Sequence, residues 1–256
     1  MNHLNIALPA FKSIALVTSV LLLGQTQAQA HHVWIEQDGN QATLYFGEFA
    51  DNLREVSPGR LDNFGKPTAQ KVSGKGTEAL TTAKTSNGFA LSAVAAKGES
   101  LVAEDAAYPI ADRKDGDKTL RSLYVPAARL VTDNGRQDAR LTLDLVPTGK
   151  QNADGMEVQA IYKGKPLPKA KVELIAASGW GKTLKADEEG KLTLKMPWKG
   201  SYVLELKHAD GPGERAGEKY DRASFVTSLT VVQADGMAPM AAPQSAPPAA
   251  PLGKTN

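Results

Sequence analysis

The chain has no cysteine. That excludes disulfides, thiolate metal sites and cysteine nucleophiles, and leaves burial of apolar surface to stabilise the fold. An excess of one charge is also missing: 30 Lys and Arg stand against 28 Asp and Glu. A chain this close to neutral has no electrostatic claim on nucleic acid or on an anionic membrane surface. Beyond residue 30 no apolar run approaches the roughly twenty residues that a spanning helix needs. Helical periodicity is nearly absent, and only "FADNLREVSPG" offers a short helix, ahead of Pro58. Catalytic signatures are missing as well. No nucleophile-elbow sequence occurs. "SGWGKT", residues 178–183, lacks the first glycine of a phosphate-binding loop and lies between strands. Asp112, Asp115 and Asp117 have no glutamate at the closing position of a calcium loop. Aromatic residues make up only 6% of the chain, and Trp34, Trp180 and Trp198 read as packing rather than a sugar platform. The expectation is a protein without enzymatic activity.

What is present begins with an export signal. Lys12 is the only charged group in residues 1–30, the apolar run "SIALVTSVLLLG" follows, and Ala28-Gln29-Ala30 closes the segment. Positive start, apolar centre and small-x-small end predict cleavage after Ala30 and a periplasmic mature protein. Such a cut leaves 226 residues, with 29 basic and 28 acidic side chains.

The remainder alternates short apolar stretches with turn residues. "HHVWIEQDGNQATLYFGEF" reads as strand, turn and strand, with Asp38-Gly39 in the turn. "NGFALSAVA", "ESLVAED" and "ARLTLDLVP" are further strands, whereas the charged stretch 109–122 reads as an exposed loop. From residue 148 onward, "MEVQAIY", "KVELIAA", "EGKLTLKM", "SYVLELKH" and "SFVTSLTVVQ" follow one another between turns. The predicted fold is all-β: an N-terminal β domain over 31–147 and a β-sandwich over 148–233. The Ala- and Pro-rich segment 234–256 has too few large apolar residues to offset its ordering entropy and is expected to be disordered.

Three histidines lie beyond Ala30: His31, His32 and His208. Cleavage would give His31 a free amine, and that amine can chelate a metal together with its own imidazole. Nitrogen donors of this kind suit Ni²⁺, Co²⁺, Cu²⁺ and Zn²⁺ rather than Ca²⁺ or Mg²⁺. Strand alternation puts His32 on one face with Trp34 and Glu36, and His31 on the other with Val33 and Ile35. Both rings reach one ion only if the terminus bends. His208, at the end of the apolar face Tyr202, Leu204 and Leu206, is the candidate third ligand. Its competing reading is a histidine that caps the edge of a core.

The boundary "AQAHHVWIE", the segment "YFGEFADNLREVSPGRLD" and the later "YKGKPLPKAKVELIAASGW", "ADEEGKLTLKMPWKGSYVLELKH" and "YDRASFVTSLTV" resemble an exported bacterial domain-of-unknown-function family. That family is described as the periplasmic component of cobalt/nickel transport. The resemblance implies a prealbumin-like or carboxypeptidase-regulatory-like C-terminal unit, a nickel or cobalt cofactor, and a metal-uptake transporter or receptor as partner. It supports His31 as the mature terminus. The chain departs from the family's histidine-richer pattern near His208, so Glu36, Glu48, Asp210 or Tyr220 would have to add an oxygen ligand. Two other classes fit the residues: a scaffold or adhesion sandwich with the tail as spacer, and a copper redox enzyme with an N-terminal histidine brace.

Overall fold

The structure, a computed structural model, describes residues 31–248; the expected export signal therefore lies outside the described residues. Among these residues there is no α-helix, and the only helical turn is a 3-10 turn at Arg60–Asn63, beyond Pro58 rather than before it. Among the described residues no helix is long and apolar enough to cross a membrane. The all-β expectation holds.

Three sheets stack in layers. The middle one has nine strands. Its centre is the parallel pair Lys118–Val131 and Arg222–Gln233, in register from Ser122 opposite Arg222 to Val131 opposite Val231. On one side of that pair follow Gly200–Asp210, Lys171–Ala176 and the edge strand Gly181–Lys185. On the other side follow Ser100–Glu104, Thr68–Ser73 and Gly76–Leu80. A five-stranded sheet covers one face, built on the hairpin His32–Asp38 and Gln41–Glu48, whose Asp38–Gln41 closure leaves Gly39 at φ 54° in the turn. Its Val33, Ile35, Leu44 and Phe46 meet Leu101, Ala128 and Leu130 of the middle sheet. A four-stranded sheet around Gly155–Tyr162 covers the opposite face, where Met156, Val158, Leu192 and Leu194 meet Val172, Leu174, Leu204 and Leu206. Each residue step along a middle strand changes the face, so these two cores lie on opposite sides of one sheet.

This arrangement corrects the division into two units. The expected boundary at 147/148 falls inside the strand Leu143–Asn152. Leu123, Val125 and Val131, from the first half of the chain, belong to the same core as Leu204 and Leu229. The parallel pair joins both halves in one sheet. The stretch 109–122 is also not a loop: Ala111–Asp115 pairs with Lys118–Ser122 as an exposed hairpin.

Beyond Gln233 the described chain forms no further strand and runs over the surface. It makes a bridge at Met237 and, further on, takes hydrogen bonds to Ser245 and Pro243 from Asn52.

Candidate functional site

The first hairpin carries its two histidines on opposite faces, as alternation requires. His31 leans on Phe46, with ring centroids 5.2 Å apart, on the side of Val33 and Ile35. His32 stands 5.4 Å from the Trp34 ring, on the side of the Trp34–Phe49–Ile175–Val203 cluster. The Tyr124 hydroxyl donates to the His31 carbonyl over 2.7 Å, and Ser228 Oγ donates to the Val33 carbonyl over 2.6 Å. These two bonds tie the start of the hairpin to the two central strands of the middle sheet.

Three carboxylates surround the pair. Glu48, at the end of the partner strand, lies with Oε1 3.1 Å from His31 Nδ1 and Oε2 4.0 Å from His32 Nδ1. Glu55 is fully buried and sits 2.5 Å from His31 Nε2. Glu205, on Gly200–Asp210, is 2.7 Å from His32 Nε2. That last approach is close in distance but lacks the direction of a hydrogen bond. Both ring nitrogens of His32, which is 1% exposed, and one oxygen each of Glu48, Glu55 and Glu205 are buried without a hydrogen-bond partner. The Arg60 guanidinium lies 4.0 Å from Glu55, at the outer side. Burial lowers the His31 pKa, but the close carboxylates of Glu48 and Glu55 outweigh it and raise the value above its ordinary one. Desolvation raises the Tyr124 phenol far above its usual range, so it stays a neutral donor.

The arrangement has one regularity. Each histidine turns Nε2 toward a carboxylate of its own, Glu55 or Glu205, and Nδ1 toward Glu48, which the two share. A carboxylate on one imidazole nitrogen fixes the ring's orientation and makes the other nitrogen a better donor to a metal. Among the described residues, however, no group of three or more His, Asp or Glu side chains is gathered closely enough to hold an ion as it stands.

The other expected ligands lie elsewhere. His208 is on the opposite face of its strand from Glu205 and packs its ring 4.2 Å from that of Tyr162, so the middle sheet separates it from the pair. This placement corrects its assignment as the third ligand and agrees with the core-edge reading. Asp210 accepts bonds from the Tyr162 hydroxyl at 2.6 Å and Lys163 Nζ at 2.9 Å, which hold its carboxyl well below the usual range. Tyr220 packs at the margin of the same core. Glu36 shares its face with His32 but is taken up by Trp34 Nε1 and the Arg54 guanidinium. Of the four suggested oxygen ligands, only Glu48 reaches the histidines.

Glu55 and Glu205 were not anticipated. Glu205 had a signal: it interrupts "YVLEL", a run that is buried on both faces. Glu55 had none, since it stands in a polar stretch without periodicity.

A family model described as Domain of unknown function (DUF4198) matches residues 28–210. No curated protein and no solved structure matches.

Proposed function

The chain belongs to the DUF4198 family, and we propose that it is an exported, non-enzymatic carrier that holds a divalent transition metal at its amino terminus. The supporting observation is the shared carboxylate: the Nδ1 atoms of His31 and His32 both face Glu48, while Glu55 and Glu205 back their Nε2 atoms. Cleavage after Ala30 would add the His31 amine. Amine and Nδ1 of one histidine close a chelate ring, Glu48 supplies an oxygen, and His32 Nδ1 completes the set by a small movement. The amine is the donor that the folded side chains lack.

Charge supports the same reading. Three buried carboxylates stand against two imidazoles, with Arg60 only at the rim. Uncompensated buried charge is costly, and a divalent cation among these groups offsets it. The nitrogen-rich set suits nickel or cobalt, and Cu²⁺ would bind most tightly in vitro by the Irving–Williams order. Transfer to a metal-uptake transporter or receptor follows from the resemblance noted in the sequence.

The test is a nickel and cobalt titration of protein purified from the periplasm, its N-terminus located by mass spectrometry. A parallel sample carries one extra residue ahead of His31. One-to-one binding that the extra residue abolishes supports the chelate. Weak binding that the extra residue leaves unchanged refutes it.

A further inference from the structure

After its last strand the chain lays a strap, residues 237–246, across the surface. Its first hold is beside Trp198. The Met237 N–H donates to the Pro197 carbonyl over 2.9 Å, and the Met237 carbonyl accepts from the Lys199 N–H over 2.9 Å. Gly236 allows that seat: its φ is 128°, and a Cβ there would lie 2.6 Å from the Pro197 carbonyl oxygen. Pro239 and Met240 then line a small hollow with Ala176, Trp198 and Tyr202. The far hold is on the turn at residues 50–52. The Asn52 side-chain amide donates to the Pro243 carbonyl at 3.3 Å and to Ser245 Oγ at 3.0 Å. The Ala246 N–H donates to the Asp51 carbonyl over 3.3 Å. Gly179 stands close to both parts: a Cβ on it would lie 2.7 Å from the Ala50 carbonyl oxygen and 3.8 Å from Pro243 Cγ.

What the strap holds is the tip of a hairpin. Gly47 pairs with Arg54 and Glu48 with Leu53, and the Glu55 N–H donates to the Phe46 carbonyl over 2.8 Å. The base of this hairpin carries both carboxylates that meet His31, Glu48 and Glu55. Asn52 also ties inward: its Oδ1 accepts from Arg54 Nη1 at 2.5 Å, and Arg54 Nη2 binds Glu36. One side chain thus joins the strap to the wall of the cluster. The hold is light. Met237 is 56% and Met240 42% exposed, while Pro243 and Ala246 are half-buried. Few buried apolar contacts and solvent-facing hydrogen bonds mark a segment that opens at far less cost than global unfolding.

We propose that this strap regulates ion exchange at the amino-terminal cluster, an inference that rests on the metal-carrier reading above. Seated, it fixes the hairpin that carries Glu48 and Glu55. Released, it lets both carboxylates move away from His31 and the ion leave. A carrier has to retain its ion in transit and surrender it on delivery. The strap provides for both with one set of ligands, because it acts on how firmly two of the carboxylates are held.

Two substitutions at opposite ends of the strap test this, in protein whose first residue is His31. Asn52→Asp removes both donated bonds, keeps the oxygen that Arg54 needs, and tolerates the φ of 50° at that position. Gly236→Ala unseats the end beside Trp198 and alters no residue of the cluster. Each is expected to raise amide hydrogen exchange over residues 50–55 by at least about fivefold, the net worth of one hydrogen bond. Each is also expected to speed Ni²⁺ transfer to excess EDTA by at least about fivefold. An unchanged circular dichroism spectrum shows that the variants fold. Unchanged amide exchange in both, or a loosened turn with unchanged Ni²⁺ release, overturns the proposal. So does an effect of Asn52→Asp alone, which would be that of its added charge. Loosened exchange in both variants with no Ni²⁺ binding in the natural protein overturns the regulation through failure of the chelate, and leaves the grip of the strap on the hairpin supported.

Discussion

Glu55→Gln is the sharpest probe of the amino-terminal cluster. Glutamine matches glutamate in size and keeps an acceptor oxygen, so it removes the negative charge behind His31 Nε2 and little else. The Glu55 carboxylate is fully buried and 2.5 Å from that nitrogen, with Arg60 4.0 Å away as its one cationic neighbour besides the histidine among the described residues. Removing a carboxylate that backs a ligating imidazole typically costs 10–100-fold in metal affinity, or about 1.4–2.7 kcal/mol. The expectation is therefore a Kd for Ni²⁺ weakened by about 10–100-fold. The assay is competition against a chromophoric chelator, using protein whose first residue is His31 by mass spectrometry. Native stacking of His31 on Phe46, read by near-ultraviolet circular dichroism, controls for misfolding. If Glu55→Gln binds Ni²⁺ within about twofold of the natural chain, the carboxylate does not act through His31. The relay argument then fails, whatever the amine contributes.

Two further expectations concern stability. Arg129 is fully buried and donates to Asp144 through Nε at 2.9 Å and Nη2 at 2.7 Å. Arg129→Met leaves that carboxylate buried without its counter-charge, still accepting from the backbone N–H groups of Arg140 and Leu141, at a cost of about 3–5 kcal/mol. For a chain of this size that lowers Tm by roughly 6–20 °C, measurable by calorimetry; a fall of only a degree or two contradicts it. Glu104 is raised above its ordinary value of 4.5, chiefly by desolvation, against hydrogen bonds from Thr142 that lower it. The folded protein then holds this proton to higher pH than the unfolded chain, so Glu104 loses stability as pH rises from 4.5 through the raised value. Urea unfolding across that range is expected to show Glu104→Gln gaining on the natural protein as pH rises; parallel curves refute the assignment.

The legible and illegible parts of the fold divide along physical lines. The first hairpin was readable because Asp38-Gly39 supplies the turn and the flanking residues alternate. That alternation alone sets His31 and His32 on opposite faces. The central strand Lys118–Val131 was not readable. Its first four residues are mostly exposed and include Lys118 and Arg121, and Pro126 speaks against a sheet interior. The structure accommodates Pro126 one position beyond the last antiparallel pair, Ala127 opposite Glu104, where its carbonyl still accepts from Asp105. Missing this strand is what made two units seem separable. Glu205 was legible only as an oddity within an apolar run: alternation sets it opposite Leu204 and Leu206, but nothing local to a strand covered on both faces says which residues lie over that side.

The parallel pair also bears on how the molecule can be divided. Ser122 meets Arg222 across 100 positions of chain, so the middle sheet closes only when its last strand arrives. The family match ends at residue 210, before that strand begins. A fragment cut there would leave Lys118–Val131 and Gly200–Asp210 facing an empty lane, with two rows of unpaired amides and carbonyls and the anchor of Val33 on Ser228 gone. Open strand edges of this length recruit other chains. The residues that define the family are thus not an autonomous folding unit here, and the twenty-three positions from Gly211 to Gln233 are as much a part of the amino-terminal site as the histidines themselves.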